Sequence, residues 1–140
     1  MEMYLTVHSF GQMILYPWGY DSKAVARDKA DLHSMAQVSG LSEYFHEIFV
    51  SGQVGARAMS TRYKVGHSAT VSYETSGASD DWAKGVAGIK YSYTIELPDT
   101  GRYNFILPPS RIAGTVRDAI KAVKSMAREL IKRSVRKSSS

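Results

Sequence analysis

Three titratable side chains occupy positions where a charged group is costly unless it has a partner or a use. Glu96 lies in the stretch 89–97, where isoleucine, tyrosine or leucine fills every second position. His8 follows the apolar stretch 4–7, and Asp80 stands near the start of a short helical segment. A buried carboxylate needs a partner or takes a shifted pKa, and such groups often belong to functional sites.

Each of these residues also has a plainer interpretation. Glu96 can face water on an edge strand, and His8 can be an ordinary packing or surface residue. Asp80 can simply be an acid in the first turn of a helix, where the helix dipole favours negative charge. Residue types and spacing alone favour the plainer interpretation for Glu96 and His8, and they leave Asp80 open.

Strands are expected directly before Glu96 and His8. The alternation over 89–97 predicts a strand that ends in the turn sequence 98–101, PDTG, because proline presets φ and glycine supplies positive φ. The apolar stretch 4–7 predicts a second strand, which ends at His8. Residues 63–66 lead into 69–73, which we interpret as another strand or an extended loop.

Helices are expected in three places. One begins near Asp28, where alanine, leucine and methionine follow. A short one is expected from Ser79, which can act as its N-cap, and Gly85 and Gly88 would end it. The last helix opens at residues 108–110, PPS, after which apolar residues recur at helical spacing.

Charge is concentrated at one end of the chain. The 140 residues carry a net charge of +5 and no cysteine. Residues 117–137 alone hold eight lysines and arginines against two acids. Such a stripe can bind nucleic acid or an anionic membrane, or it can be the solvated face of a helix. We favour the solvated face, because no aromatic residues are interleaved for stacking, and we expect neither a nucleic-acid nor a membrane partner.

Long motifs resemble the zinc metallocarboxypeptidases of the carboxypeptidase A and B family. They are YSYTIELPDTGRYNFILPPSRI at 91–112, LTVHSFGQMILYPWGY at 5–20 and YKVGHSATVSYETSGASDDW at 63–82, followed by a closing helix from about Arg111. The resemblance covers nearly the whole chain, but only the C-terminal half of the family domain. It implies an α/β fold, here the C-terminal part of a mixed sheet flanked by helices.

The resemblance implies a Zn²⁺ site built from two histidines and one glutamate, with a fourth position for water. His8 matches the third ligand of that set, which opens the motif H-S-x-x-Q. The other two ligands come from an earlier His-x-x-Glu motif, which does not occur in this sequence. Glu96 matches the catalytic carboxylate, a general base that takes a proton from water and delivers it to the leaving amine.

The same resemblance implies four substrate-contacting residues. Tyr73 matches a mobile tyrosine that closes over the substrate and hydrogen-bonds its C-terminal carboxylate, although it can equally be a strand aromatic. Ser9 and Phe10 match the pair after the zinc histidine, where the family usually has tyrosine in place of Phe10. Phe105 matches an aromatic of an outer subsite, for which core packing is an equally good explanation.

Asp80 matches the floor of the pocket for the substrate's C-terminal side chain. Carboxypeptidase B-like members have aspartate there, which pairs with lysine or arginine, whereas A-like members have an apolar residue. A buried carboxylate disfavours apolar groups, and a charge-assisted pair selects cations. Ser68, Ser72 and Thr94 are expected to line the same pocket.

The resemblance also divides the chain. Residues 1–133 correspond to a partial peptidase domain, with an apparent insertion at 39–54, and 134–140 form an expected disordered basic, serine-containing tail. The insertion is either genuine or a short intron read in frame, because Val38-Ser39 and Gln53 can be encoded by splice-site sequences. Non-proline cis peptide bonds are implied at Ser9-Phe10, Pro17-Trp18 and Pro98-Asp99.

The sequence therefore predicts a zinc-dependent carboxypeptidase that releases C-terminal residues, preferentially lysine and arginine, from peptides or proteins. This chain is expected to be truncated, inactive alone, monomeric and, by resemblance, extracellular. The family's substrate-binding arginines are also missing. The alternative is a non-catalytic fragment or binding protein that retains part of the fold.

Overall fold

The computed structural model describes residues 1–38 and 63–138. Its centre is a four-stranded mixed sheet in the order β1-β4-β2-β3. The strands are β1 (Met3–Ser9), β2 (Met13–Tyr16), β3 (Lys64–His67) and β4 (Tyr91–Leu97). β4 runs parallel to β1 and antiparallel to β2, and β2 runs parallel to β3. The predicted α/β class with a mixed sheet is confirmed.

Four helices complete the described part of the chain. They are α1 (Lys29–Val38), α2 (Ser68–Val71), α3 (Ser79–Gly85) and α4 (Pro109–Ser138). None of the helices in residues 1–38 and 63–138 is long and apolar enough to cross a membrane.

β4 has both faces covered, because helices lie on either side of it. Its tyrosines and Ile95 are buried in one cluster with Leu32 and Met35 of α1 and with Met126 of α4. On the opposite face Ser92 is fully buried and its hydroxyl donates to the carbonyl of Asp80 in α3, at 2.8 Å. The alternation predicted from the sequence is present, but its polar side faces α3 rather than water.

Three local predictions need correction. Residues 68–71 form the helix α2 rather than a strand or an extended loop, and His67 ends the preceding strand. Ser79 is the first residue of α3, and the cap is Ala78 without a side-chain hydrogen bond. α4 continues through Ser138, whose hydroxyl donates to the carbonyl of Val135 at 2.8 Å, so residues 134–138 are helical rather than a disordered tail. The expected insertion at 39–54 lies outside the described residues.

Candidate active site

Glu96 and His8 lie side by side at the ends of two parallel strands. The register of β1 and β4 pairs their Cα positions directly, and β2 places Met13 on the other side of Glu96. β4 is therefore an interior strand, and the interpretation of Glu96 as an edge-strand residue facing water is wrong. Parallel neighbours bring their carboxyl ends to the same edge of a sheet, which is why two distant sequence positions meet here.

Burial is the main influence on the pKa of the Glu96 carboxyl. Its Oε2 is buried and has no hydrogen-bond partner among the described residues. Burial raises the pKa of the Glu96 carboxyl, and the nearby His8 opposes this only in part. A carboxylate that is withdrawn from water and left without a donor is poised to take up a proton, which is what a general base requires.

The loop after His8 folds back onto the end of β4. The backbone nitrogens of Gly11 and Gln12 both donate to the carbonyl of Leu97, at 3.0 and 3.3 Å. This loop places the Phe10 ring against the Phe105 ring in an edge-to-face contact, with centroids 5.1 Å apart. Ser9 is exposed beside His8.

Phe105 is 77% exposed, so core packing does not explain it. Its described ring contact is with Phe10, and the pair forms an aromatic rim beside the end of β4. The three cis peptide bonds implied by the resemblance, at Ser9-Phe10, Pro17-Trp18 and Pro98-Asp99, are all present.

Asp80 is a buried charge at the start of α3. It is only 2% exposed, and its Oδ2 has no hydrogen-bond partner among the described residues. Burial, and then the neighbouring negative charge of Asp81, raise the pKa of the Asp80 carboxyl. An ordinary first-turn acid faces solvent, so a helix-start role alone does not account for this position.

β4 connects Asp80 with Glu96. Thr94 forms a hydrogen bond with the Asp80 carboxylate. The Ser92 hydroxyl donates to the backbone carbonyl of Asp80. Ser92, Thr94 and Glu96 alternate along the strand and therefore share one face, with Thr94 and Glu96 about 7 Å apart. The two incompletely partnered carboxylates, of the buried Asp80 and the half-buried Glu96, thus lie along the same side of the sheet.

Of the three residues expected to line the pocket at Asp80, one has a described contact with it. Thr94 contacts Asp80, as expected. Ser68 is the first residue of α2, with its Oγ 3.5 Å from the position a Cβ on Gly19 would occupy. Ser72 follows α2 and is half-buried. No described contact joins Ser68 or Ser72 to Asp80.

Asp81 has a structural function, and the structure shows its partner. Both of its carboxylate oxygens accept from the backbone nitrogen of Gly19, at 3.0 and 2.9 Å. Burial raises the pKa of Asp81, while the hydrogen bonds from Gly19 and Tyr20 lower it. The sequence signal was a second acid directly after Asp80 near a small-residue turn, but the partner lies 62 residues away.

Tyr73 lies on the surface, away from these contacts. It is 71% exposed and belongs to the segment between α2 and α3. That segment is attached to the loop after β2, because Thr75 donates to the carbonyl of Gly19 at 2.7 Å and Ser22 donates to the Glu74 carboxylate at 2.9 Å. Gly77, with φ +83° and open space around it, ends the segment.

The described residues do not form a zinc site by themselves. Within residues 1–38 and 63–138, no three histidine, cysteine, aspartate or glutamate side chains lie close enough to hold a metal ion. His8 is exposed at the edge of the sheet and has the right chemistry for one ligand. The described residues therefore provide one potential zinc ligand and a neighbouring base, but not a complete set of zinc ligands.

Comparisons with known proteins show the family of the chain. The zinc carboxypeptidase family profile matches residues 1–122. Carboxypeptidase B of Astacus astacus is 41% identical over 129 residues, which are 91% of this chain and 38% of the relative. Carboxypeptidase A1 of Bos taurus is 38% identical over 119 residues, 84% of this chain and 25% of the relative.

A solved structure is similar in shape as well as in sequence. The chain superposes with a TM-score of 0.76 and 33% identity on bovine thrombin-activatable fibrinolysis inhibitor, in complex with tick carboxypeptidase inhibitor. The match covers 94% of this chain and 40% of that one. The chain thus spans two fifths or less of the length of these relatives, and it belongs to the zinc carboxypeptidase family.

Proposed function

We propose that this chain carries part of the active site of a zinc metallocarboxypeptidase that releases lysine and arginine from peptide C-termini. The observation that supports this most is the pair of carboxylates, Glu96 in β4 and Asp80 of α3 against the same face of that strand, each of which has one buried oxygen. Glu96 Oε2 and Asp80 Oδ2 both lack a hydrogen-bond partner within the described residues. Buried polar atoms are usually paired, and an exception calls for a reason such as catalysis or ligand binding.

Glu96 acts as the general base in this proposal. Its raised pKa lets it accept a proton from the attacking water and then donate that proton to the leaving amine. Its position beside His8, at the carboxyl end of the strand pair, puts the carboxylate next to the proposed metal ligand.

His8 supplies one Zn²⁺ ligand, and by family resemblance the other two belong to a His-x-x-Glu motif that these 140 residues do not contain. When bound, zinc supplies a Lewis acid that activates water and polarises the scissile carbonyl. Alone, the 140 residues are proposed to bind zinc weakly and to hydrolyse nothing, because they contain no His-x-x-Glu motif. Equilibrium dialysis that shows tight, stoichiometric zinc binding by this chain would contradict that part of the proposal.

Asp80 selects a cationic C-terminal side chain. A lysine or arginine entering the pocket gives Oδ2 the donor it lacks, whereas phenylalanine or leucine leaves the carboxylate desolvated and unpaired. Thr94 holds the carboxylate in place. The names of the relatives do not decide this preference, because carboxypeptidases B and A1 have similar identities to the chain.

The remaining proposed contacts surround that pocket. Tyr73, on its exposed segment, is free to close over the substrate carboxylate. Ser9 and the aromatic pair of Phe10 and Phe105 contact residues further from the cleaved bond. By family resemblance, the protein acts as a monomer outside the cell on peptide or protein C-termini.

A chimera tests the proposal. Residues 1–138 replace the matching segment of Astacus astacus carboxypeptidase B, in versions with and without 39–54, and kcat/KM is measured on peptides ending in Arg, Lys, Phe and Leu. We expect preference for the basic peptides. Asp80→Ile is expected to lower kcat/KM for those and raise it for the apolar ones, by about 5- to 150-fold, or ~1–3 kcal/mol.

Ser79→Ala provides the matched control, because Ser79 is exposed at the first position of the same helix. It is expected to leave all four substrates unchanged. An active chimera that prefers Phe or Leu, or in which Asp80→Ile affects all four substrates alike, would reduce Asp80 to a structural acid. A folded, zinc-loaded chimera without activity on any of the four would overturn the peptidase assignment itself.

A further inference from the structure

Six cationic side chains share one exposed face of α4. Residues three or four positions apart are neighbours on a helix, and these six recur at that spacing. All are exposed: Arg117, Lys121, Lys124, Arg128, Lys132 and Arg136. At 1.5 Å per residue the row is about 29 Å long. Ala122 and Met126, on another side of the helix, are buried in the core, so the row faces solvent. We call these six side chains the basic face.

The acidic residues of α4 neutralise little of the basic face. Between residues 117 and 136 they are Asp118 and Glu129. Asp118 is only 4% exposed, and it pairs with Lys121 at a distance of 3.8 Å. Glu129 accepts from Arg133 at 2.8 Å, and Arg133, outside the basic face, also pairs with Asp31. Four members of the basic face form no ion pair with any described residue: Arg117, Lys124, Arg128 and Lys132. Most of the positive charge is therefore available to an external partner.

A solvated surface does not by itself explain this arrangement. Exposed helix faces usually alternate acids with bases, because opposite charges four residues apart attract and like charges repel. The basic face places like charges next to each other along its whole length, which lowers the stability of the helix. The helix dipole favours cations only in the last turn, so it accounts for Arg136 but not for Lys121 or Lys124. A bound anion relieves this repulsion.

From the length, charge and exposure of this face we propose that α4 binds an extended sulfated polysaccharide. Such a polymer carries sulfate and carboxylate groups at short intervals, so it meets the cations of the row in succession. Guanidinium and ammonium groups form charge-assisted hydrogen bonds with oxyanions, and successive pairs on one polymer add through their high effective concentration. A single small anion meets only a few of the cations and gains far less. The inference goes beyond the proposed peptidase activity and does not depend on it.

The residue types of α4 favour a polysaccharide over nucleic acid and over a membrane. The helix contains no aromatic residue, asparagine or glutamine, so it has no ring for base stacking and no amide for reading base edges. Helices that lie in a membrane surface anchor there through an apolar face with tryptophan, phenylalanine or leucine. The large apolar residues that α4 exposes are isoleucines and valines. Polysaccharide sulfates need only the cations that the basic face supplies.

Titration calorimetry of the 140-residue chain with heparin tests the inference at about 0.15 M NaCl, near physiological ionic strength. The test variant reverses the middle of the basic face with Lys121→Glu, Lys124→Glu and Arg128→Glu. Its dissociation constant for heparin is expected to be at least about 10-fold higher, because three attractions become repulsions. Glutamine at the same three positions is expected to give a smaller loss in the same direction. Binding by the unchanged chain is expected to weaken steeply as salt rises.

The matched control reverses three exposed cations outside α4, with Lys23→Glu, Arg27→Glu and Lys64→Glu. Each of these changes lowers the charge by two, so both triple variants go from a net charge of +5 to −1. The control is expected to change the dissociation constant by about 2-fold at most, because salt screens charges that do not contact the polymer. Urea unfolding checks that both variants fold, as expected for changes of exposed side chains. None of these measurements uses a peptidase substrate, so the result is independent of the proposed activity.

Several results would overturn the inference. The absence of heparin binding at this ionic strength excludes it. An equal loss in both triple variants means that net charge, rather than the basic face, attracts heparin. Displacement of heparin by inorganic sulfate at the same sulfate concentration means that the face holds single anions only. Tighter binding of duplex DNA, or of vesicles with anionic lipid, that is lost only in the variant of the basic face assigns this face to a nucleic acid or to a membrane instead.

Discussion

Charged side chains at the beginning of β4 are paired, whereas the carboxylates farther along the side that faces α3 are only partly paired. At its beginning, Asp31 of α1 accepts from Arg133 of α4 at 2.7 Å and from the Tyr91 hydroxyl at 3.3 Å, and it pairs with Lys90. Burial alone would raise the pKa of Asp31, but Lys90 and Arg133 lower it below its ordinary value. This end of the strand is a satisfied network that ties two helices to the sheet.

Farther along β4, on the side that faces α3, the carboxylates have too few hydrogen-bond donors. Glu96 and Asp80 each keep one buried oxygen without a described partner, and burial raises the pKa of both. The comparison separates two uses of charge on a single strand. The paired charges around Asp31 stabilise the fold. The partly paired carboxylates of Glu96 and Asp80 lower its stability and are available for chemistry.

The largest expected effect is on catalysis, from Glu96→Gln in the chimera. The substitution keeps size and polarity but removes the base, so we expect kcat to fall by about 10²- to 10⁴-fold with little change in KM. Steady-state kinetics with an Arg-terminated peptide measure this. Glu129→Gln, at the satisfied end, is the control and should leave kcat unchanged, and a comparable loss from both variants would remove the distinction between the two ends.

A smaller effect, on stability, is expected from Arg133→Met. Arg133 donates to Asp31, Glu129 and Ser34, and it links α4 to α1. Methionine keeps much of the side-chain volume but removes one donor from each of those acceptors, so the free energy of unfolding should fall by about 2 kcal/mol.

Urea unfolding of the 140-residue chain measures the Arg133→Met effect. Lys132→Met, at the adjacent exposed position, is the control and should be nearly neutral. If Arg133→Met is equally neutral, the network at the beginning of β4 does not stabilise the fold.

The sequence predicted the strands and turns around the site better than it predicted what packs beside them. The alternation over 89–97 predicted β4, and the family motifs predicted its turn, its cis peptide bonds and the neighbourhood of His8 and Glu96. Periodicity does not reveal how many strands flank β4. Glu96 therefore seemed compatible with an edge strand until the pairing with both β1 and β2 was known.

Long-range hydrogen bonds explain the other differences. Residues 69–73 are rich in β-prone side chains, yet 68–71 form a helix. Its second residue, Ala69, donates to the carbonyl of Trp18, a contact outside any local sequence window. Asp80 and Asp81 are both first-turn acids of α3. Only the fold shows that Gly19 satisfies Asp81, whereas one oxygen of Asp80 stays unpaired.

The smallest expected effect is the pH dependence of stability, tested with Asp80→Asn in the 140-residue chain. Because the folded-state pKa of Asp80 is raised by burial and by Asp81, the folded state holds this proton more tightly than the unfolded state. Its contribution to stability is therefore complete below the unfolded pKa, near 4, and is lost as the pH rises through the folded pKa. Asparagine cannot ionise, so the variant should lack this loss and be more stable by about 1 kcal/mol at pH 7. Urea midpoints from pH 4 to pH 8 measure the difference. A wild-type curve no steeper than that of Asp80→Asn would mean that Asp80 is as well solvated as an ordinary surface acid. Asp80 would then no longer contrast with the paired charges at the beginning of β4.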